Sequence, residues 1–198
     1  MLEESKRIKS KSDLNRFLKT ELDSYGVRGA VLLPIKEKYI LAKHSILLRK
    51  TEYHTNTKHR LRSAFYLIRL RMLQYKYGLH IPLNCCDEGL RIMHCGSVLI
   101  NYRATVGKNC TFHINTALVA GGTNDGVPTL GDGCILGVGA VVSGDVKLAD
   151  YVAVGANAFV NKSFNESNIA IAGVPAKKSP TMVARVGESE RYKHSKKL

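Results

Sequence analysis

Apolar residues recur along this chain with two different periods, and the change falls just after Pro82. Before it, three stretches carry helical spacing: Asp13 to Tyr25, Pro34 to about Thr51, and Lys58 to Tyr77. Gly26 and Gly78 follow the first and third, where a helix gains from a residue that tolerates left-handed dihedrals. Asp13 reads as an N-cap and Pro34 as a helix start, and Leu61, Phe65, Ile68, Met72 and Tyr75 recur at intervals of three and four. The turn-prone run Tyr53-His-Thr-Asn-Thr is expected to separate the second helix from the third. Phe65, Tyr66 and Tyr75 are expected to pack inward.

After Pro82 the repeat is six residues long, running from Cys86 to Phe164. Nearly every six-residue rung opens on a bulky apolar side chain, as at Ile92, Ile100, Val106, Phe112, Leu118, Leu130, Leu136, Val142, Leu148, Val154 and Val160. The fifth position is small or medium: Ala104, Cys110, Thr116, Cys134, Ala140, Val146, Val152, Ala158. Gly, Asn and Asp crowd the positions between. A simple strand would alternate, whereas this pattern fits a solenoid with flat walls and tight corners, three rungs to a turn. Residues one turn apart then stack at about 4.8 Å. Two rungs are longer than six residues, Ile92–Leu99 and Leu118–Thr129. If the second is one rung plus a six-residue loop, Cys110 lies under Cys134, with Leu90 and Val152 in the same column. The expected division is a helical region over 1–80, the solenoid over 81–167, and a C-terminal extension over 168–198 that folds back on the coil and ends in a basic tail. The helices are expected to cover one open end of the solenoid.

Charge follows the same division. The net charge of +14 is concentrated in the flanks: residues 1–80 hold 18 Lys/Arg against 7 Asp/Glu, and 81–170 hold 5 against 7. The solenoid is therefore nearly neutral, and polyanion binding, if any, belongs to the arms. No apolar run is long enough to span a bilayer and the first residues are charged, so a cytoplasmic protein is expected. Five cysteines without a signal segment point to reduced thiols.

Chemistry is sought where the repeat is interrupted, because extra length on a solenoid places loops on its binding face. The first interruption carries His94-Cys95-Gly96 and the second Gly121-Gly122-Thr123. Together with Val106-Gly107, Leu136-Gly137, Val154-Gly155-Ala156 and the run Ala172-Gly173-Val174-Pro175-Ala176-Lys177, they resemble the hexapeptide-repeat acyltransferases. The resemblance covers roughly Tyr77 to Lys178 and is nearest to the serine O-acetyltransferase branch, including relatives associated with surface polysaccharides. It implies a left-handed parallel β-helix, a homotrimer, and acetyl-CoA as co-substrate in a groove between subunits.

It also implies that His94 is the general base. An acceptor hydroxyl becomes a competent nucleophile when an imidazole takes its proton during attack, worth about 10² to 10⁴ in rate. The plainer reading makes His94 a turn histidine on a polar face. His113, one turn along, is either a second groove residue or an exposed histidine. Gly121, Gly122, Val138, Gly139, Ala156, Asn161, Lys162 and Lys177 are the cofactor positions that the resemblance implies; each alone is also an ordinary corner residue. Small side chains admit the pantetheine arm and lysines meet phosphates. The chain departs from the serine enzymes where Met93 precedes His94, where Leu79 and His80 stand upstream, and where Gly126-Val127-Pro128 fills the acceptor loop. The groups that would grip serine are thus not evident, and a sugar hydroxyl stands beside serine as acceptor. Asp87 and Glu88 are candidates to orient His94.

Two other readings follow from the same residues. Cys85, Cys86, His94 and Cys95 suggest a metal, but Cys86, Cys110 and Cys134 occupy small apolar repeat positions and the paired-cysteine gap of zinc sites is missing, so no metal is expected. A non-catalytic β-helix scaffold is the alternative function, its basic arm (Arg60, Arg62, Arg69, Arg71, Lys76) contacting nucleic acid or an anionic membrane. Basic helices are more often solvated faces, so nucleic acid is not expected as a partner, while membrane proximity stays open.

Overall fold

The computed structural model describes residues 2–27, 36–122 and 125–183. Among these residues a single 3-10 turn (Glu4–Lys6) precedes three α-helices, α1 (Lys11–Ser24), α2 (Glu37–Asn56) and α3 (Arg60–Tyr77). Asp13 is not the N-cap of α1. Ser10 is, its hydroxyl accepting from the Asp13 N–H while the Asp13 carboxylate accepts from the Ser10 N–H, so Asp13 closes a capping box from inside the first turn. Pro34 lies outside the described residues. α2 continues through the expected turn to Asn56, held there by the His54 ring stacked on Tyr66 of α3 at 5.3 Å. The separation from α3 falls at Thr57–His59, and Gly78 ends α3 with φ 70°.

Fourteen short strands follow: β1 (Leu79–His80), β2 (Arg91–Ile92), β3 (Val98–Ile100), β4 (Thr105–Val106), β5 (Thr111–Phe112), β6 (Thr116–Val119), β7 (Thr129–Leu130), β8 (Ile135–Leu136), β9 (Val141–Ser143), β10 (Lys147–Leu148), β11 (Ala153–Val154), β12 (Phe159–Val160), β13 (Ile169–Ala172) and β14 (Lys177–Val183). From β2 the chain visits three sheets in rotation. They are ordered β2-β5-β8-β11-β13-β14, β1-β3-β6-β9-β12 and β4-β7-β10, and every pairing is parallel except β13 with β14. From β2 to β12, strands that neighbour in a sheet are thus three apart in sequence; β1 with β3 and β11 with β13 are two apart, and β13 with β14 are consecutive.

The register matches the six-residue count. Phe112 pairs with Leu136, twenty-four positions on across the longer loop, and Leu136 pairs with Val154, eighteen positions on. Ile92 to Phe112 spans two more positions than that, and Val106 to Leu130 six more, so both interruptions are absorbed outside the sheets. Cys110 accordingly stacks beside Cys134. The opening residues from Ile92 to Val160 and the fifth residues from Ala104 to Ala158 are all buried. Corners turn through left-handed residues stacked coil on coil: Gly89, Asn109, Gly133, Tyr151 and Asn168 form one such column.

The first coil is closed by helices. Leu41, Ala42, Leu47, Leu48 and Leu70 share one core with Leu79, Cys86, Leu90 and Ile92. At its centre the fully buried Arg49 of α2 spends every N–H: on Glu21 of α1 (2.9 and 2.6 Å), on Glu52 (2.8 Å), and on the carbonyls of Cys86 and Asp87 (both 2.9 Å). Those carbonyls belong to the first rung, at the coil's otherwise open end. Burial pushes the Glu21 carboxyl up against the pull of Arg49, and Phe17 covers the guanidinium at 4.9 Å. Nearby, burial and then Arg49 push the His44 imidazole down to about 3, so it stays neutral with Nε2 3.3 Å from the Gln74 amide nitrogen.

Two expectations follow. Arg49→Met strands two buried carboxylates and two carbonyls and should cost about 3–5 kcal/mol, read as a lower urea midpoint; adding Glu21→Gln and Glu52→Gln should recover part of it. For His44, the unfolded chain takes up a proton below about pH 6.5 that the folded chain refuses. Stability supplied by the neutral ring is therefore present above that pH and lost as pH falls, roughly 1.5 kcal/mol between pH 6.5 and 5. Glu21 acts in the opposite sense, so the check is a comparison of acid melting curves for the native chain and His44→Gln, in which this slope should vanish.

Candidate active site

His94 lies two residues past β2, where the first interruption begins. Its side chain is 58% exposed. The partner that orients it is neither Asp87 nor Glu88. The Asp87 carboxylate accepts from the Glu88 N–H, and Glu88 is taken by Arg16 and by the Thr20 hydroxyl of α1. Instead Glu37, the first residue of α2, reaches across: its Oε2 lies 3.1 Å from His94 Nδ1 and its Oε1 accepts from the Cys95 N–H at 2.6 Å. The Cys95 N–H, and after it His94, hold the Glu37 carboxyl below its ordinary range, so it is an anion at neutral pH. An anion on Nδ1 favours the proton on that nitrogen and leaves Nε2 as the acceptor. Nε2 makes no hydrogen bond among the described residues.

Sequence spacing does not reveal Glu37. It stands fifty-seven positions before His94, and an acid in the first turn of a helix is ordinary complementarity to the helix dipole. Only the docking of α2 on the first coil turns it into a histidine partner.

Strand register then sorts the other positions. Ile92, Phe112, Leu136, Val154 and Ile171 are successive partners. Two residues beyond each come His94, Ile114, Val138, Ala156 and Gly173, which run along one edge of the coil. Gly139 follows Val138 on that edge with φ 72°, and Lys177 pairs with Ala172 beside its far end. Val138 and Ala156 are exposed. His113 is half-buried, one coil on from Met93 rather than from His94. The remaining four positions are elsewhere. Leu118 pairs with Val142 and Val142 with Val160, which puts Gly121, Gly122, Asn161 and Lys162 along a second edge, across the wall that contains β6, β9 and β12. Thr123 and Asn124 of the longer loop lie outside the described residues.

Of the cysteines, Cys85, Cys86, Cys110 and Cys134 are buried in the core and only Cys95 is partly open. Burial, and then the Glu37 charge, push the Cys95 thiol up to about 11. A thiolate nucleophile beside His94 is therefore disfavoured. Among the described residues no three His, Cys, Asp or Glu side chains form a group that would hold a metal.

The comparisons with known proteins converge. A serine acetyltransferase of Mycobacterium tuberculosis is 37% identical over 86 residues, 42% of this chain and 37% of that protein, and one of Buchnera aphidicola is 24% identical over 163 residues, 80% of this chain and 57% of that one. The proteins it resembles are serine acetyltransferases. The soybean serine acetyltransferase apoenzyme superposes with a TM-score of 0.65 at 17% identity, over 85% of this chain and 70% of that one, which is a likeness of fold. Serine acetyltransferases solved with coenzyme A, serine and cysteine match as well. No family model matches the chain. The chain spans between about a third and somewhat over half of the length of these curated serine acetyltransferases.

The Glu37 contact is open to a chemical check. In the folded protein Cys95 should react with iodoacetamide at pH 8 about a hundred-fold more slowly than an unperturbed thiol, and Glu37→Gln, by removing the nearby anion, should speed it several-fold. The readout is the alkylation rate at Cys95 by peptide mass analysis.

Proposed function

We propose that the chain is an acetyl-CoA-dependent O-acetyltransferase built on a left-handed parallel β-helix, with His94 as general base and Glu37 as the residue that positions it. The observation that carries this reading is the exposed imidazole with Nδ1 engaged by a carboxylate and Nε2 making no hydrogen bond among the described residues. In this arrangement Nε2 takes the proton of an acceptor hydroxyl as its oxygen attacks the thioester carbonyl. The Glu37 anion favours the imidazolium that results. Collapse of the tetrahedral intermediate expels the coenzyme A thiolate, which recovers the proton from His94, leaving an acetyl ester and a free thiol. The high pKa of Cys95 favours this direct transfer over a covalent enzyme intermediate.

The two edges bear on assembly. Val138, Gly139, Ala156 and Lys177 lie on or beside the His94 edge, and Gly121, Gly122, Asn161 and Lys162 lie on the other. In a homotrimer the second edge of one subunit faces the His94 edge of its neighbour, so one intersubunit groove gathers all eight. Small residues along it let the pantetheine arm approach the backbone, and the exposed lysines suit the phosphates. Residues 81–167 form the catalytic coil in this reading, 1–80 the helical region that supplies Glu37, and 168–198 the extension that carries Lys177. The acceptor is a small hydroxyl compound, serine or a sugar, and the setting is cytoplasmic; among the described residues no helix is long and apolar enough to cross a membrane.

Thiol release from acetyl-CoA, followed over serine, homoserine and nucleotide-sugar acceptors, tests the reading. His94→Ala should lower the rate by about 10² to 10⁴. Glu37→Gln should lower kcat while leaving the KM for acetyl-CoA near its native value, with Glu37→Asp intermediate. A folded protein that releases no thiol with any acceptor, or an alanine variant as fast as the native chain, removes the proposal.

A further inference from the structure

The helix α3 shows solvent the face that its periodicity suggested would be buried. Leu61 is 89% exposed, Phe65 54%, Ile68 62%, Met72 68% and Tyr75 69%. Its packed side is the opposite one, where Leu70 and Gln74 are buried and Tyr66, Leu73 and Tyr77 lie against the core. Phe65 and Tyr75 thus stay exposed, Tyr75 meeting the coil only at the His80 ring of β1 (6.4 Å), whereas Tyr66 lies against the core and stacks on His54 of α2. At 100° per residue the five exposed side chains fall within about 40° of a single line along the helix.

The flanks of that line are equally regular. Arg62, Arg69 and Lys76 project roughly 60° to 100° to one side of it, and Arg60 and Arg71 roughly 80° to 100° to the other. All five are exposed, and α3 contains no Asp or Glu. Two cationic rails therefore border an apolar strip about 21 Å long, four turns of helix.

We propose that this face of α3 lies on an anionic lipid bilayer, parallel to its surface, with the strip sunk into the boundary between headgroups and acyl chains and the five cations at the headgroups. Charge complementarity selects this occupant. A second α3, parallel or antiparallel, would bring cationic rails together with no acid on either helix to offset them. A nucleic acid would satisfy the rails but leave Leu61, Ile68 and Met72 against phosphate and water. A bilayer rich in anionic headgroups satisfies both features at once, because Arg and Lys extend their heads to the headgroup level while their stems stay apolar. The inference is independent of the acetyl-transfer reading, since none of these residues contributes to the His94 edge.

Co-sedimentation of the full chain with phosphatidylcholine vesicles, with and without phosphatidylglycerol, tests it. Binding should require phosphatidylglycerol and weaken at high salt. Arg62→Gln with Arg69→Gln should lower the partition coefficient by roughly thirty-fold, and Phe65→Ser, Ile68→Ser and Met72→Ser together should abolish binding, with far-ultraviolet circular dichroism unchanged. Equal binding to both vesicle types, or none to either, overturns the proposal. If the serine variant instead lowers the particle mass by light scattering and vesicles bind neither form, the face belongs to a second copy. If random duplex DNA binds and the serine variant binds it equally well while vesicles do not, the face belongs to nucleic acid.

Discussion

Arg49 is the constraint on which the arrangement rests. A coil of parallel strands leaves its first rung with carbonyls to which no earlier strand donates, and burying them without donors is costly. One guanidinium meets the Cys86 and Asp87 carbonyls and the Glu21 and Glu52 carboxylates together, so the same five N–H groups cap the coil and clamp α1 to α2. Removing the guanidinium would undo contacts with four groups of two kinds, two carboxylates and two carbonyls. The cluster fixes geometry more than it adds stability, because a buried ion network repays much of its desolvation cost in its own attraction.

The position of Glu37 follows from that clamp. It lies twelve residues before Arg49 on the same helix, about 18 Å along its axis. With α2 seated at Arg49 and packed through Leu41, Ala42 and Leu48, its N-terminus projects over the extended rung. Tyr25 steadies the same region from α1, its hydroxyl accepting the Ile92 N–H at 2.9 Å two residues before His94. The helical region thereby acts as both end cap and second layer of the candidate site.

The coil was legible because its signal is repeated a dozen times: eleven opening residues and eight fifth residues share one environment, so a single irregular rung could be recognised as an insertion. Counting alone stacked Cys110 on Cys134. His94 was legible because the insertion singles it out. Glu37 was not, since its role depends on a tertiary docking that leaves no local pattern. Helix ends were displaced for capping reasons: Ser10 competed with Asp13, and packing of His54 on Tyr66 carried α2 through residues whose propensities favour a turn.

The misreading of α3 has a different physical origin. A three-four periodicity states that a helix has an apolar side, but a helix packed through Tyr66, Leu70, Leu73 and Tyr77 has a second one, and periodicity cannot say which is the inner. The polar atoms decide. Gln74 sits on the packed side, where its amide donates to the Ile81 carbonyl at 2.8 Å, whereas all five cations border the other side. Charged side chains remain near water, even Arg71, which stays exposed while its guanidinium donates to Gln74 Oε1 at 3.2 Å, and so fix the outward direction more firmly than apolar ones fix the inward. The concentration of basic charge in the first 80 residues is then a property of the surfaces the helices present. Of that charge the coil uses Arg49, buried at its first rung, while its own residues 81–170 carry mixed and nearly balanced charge.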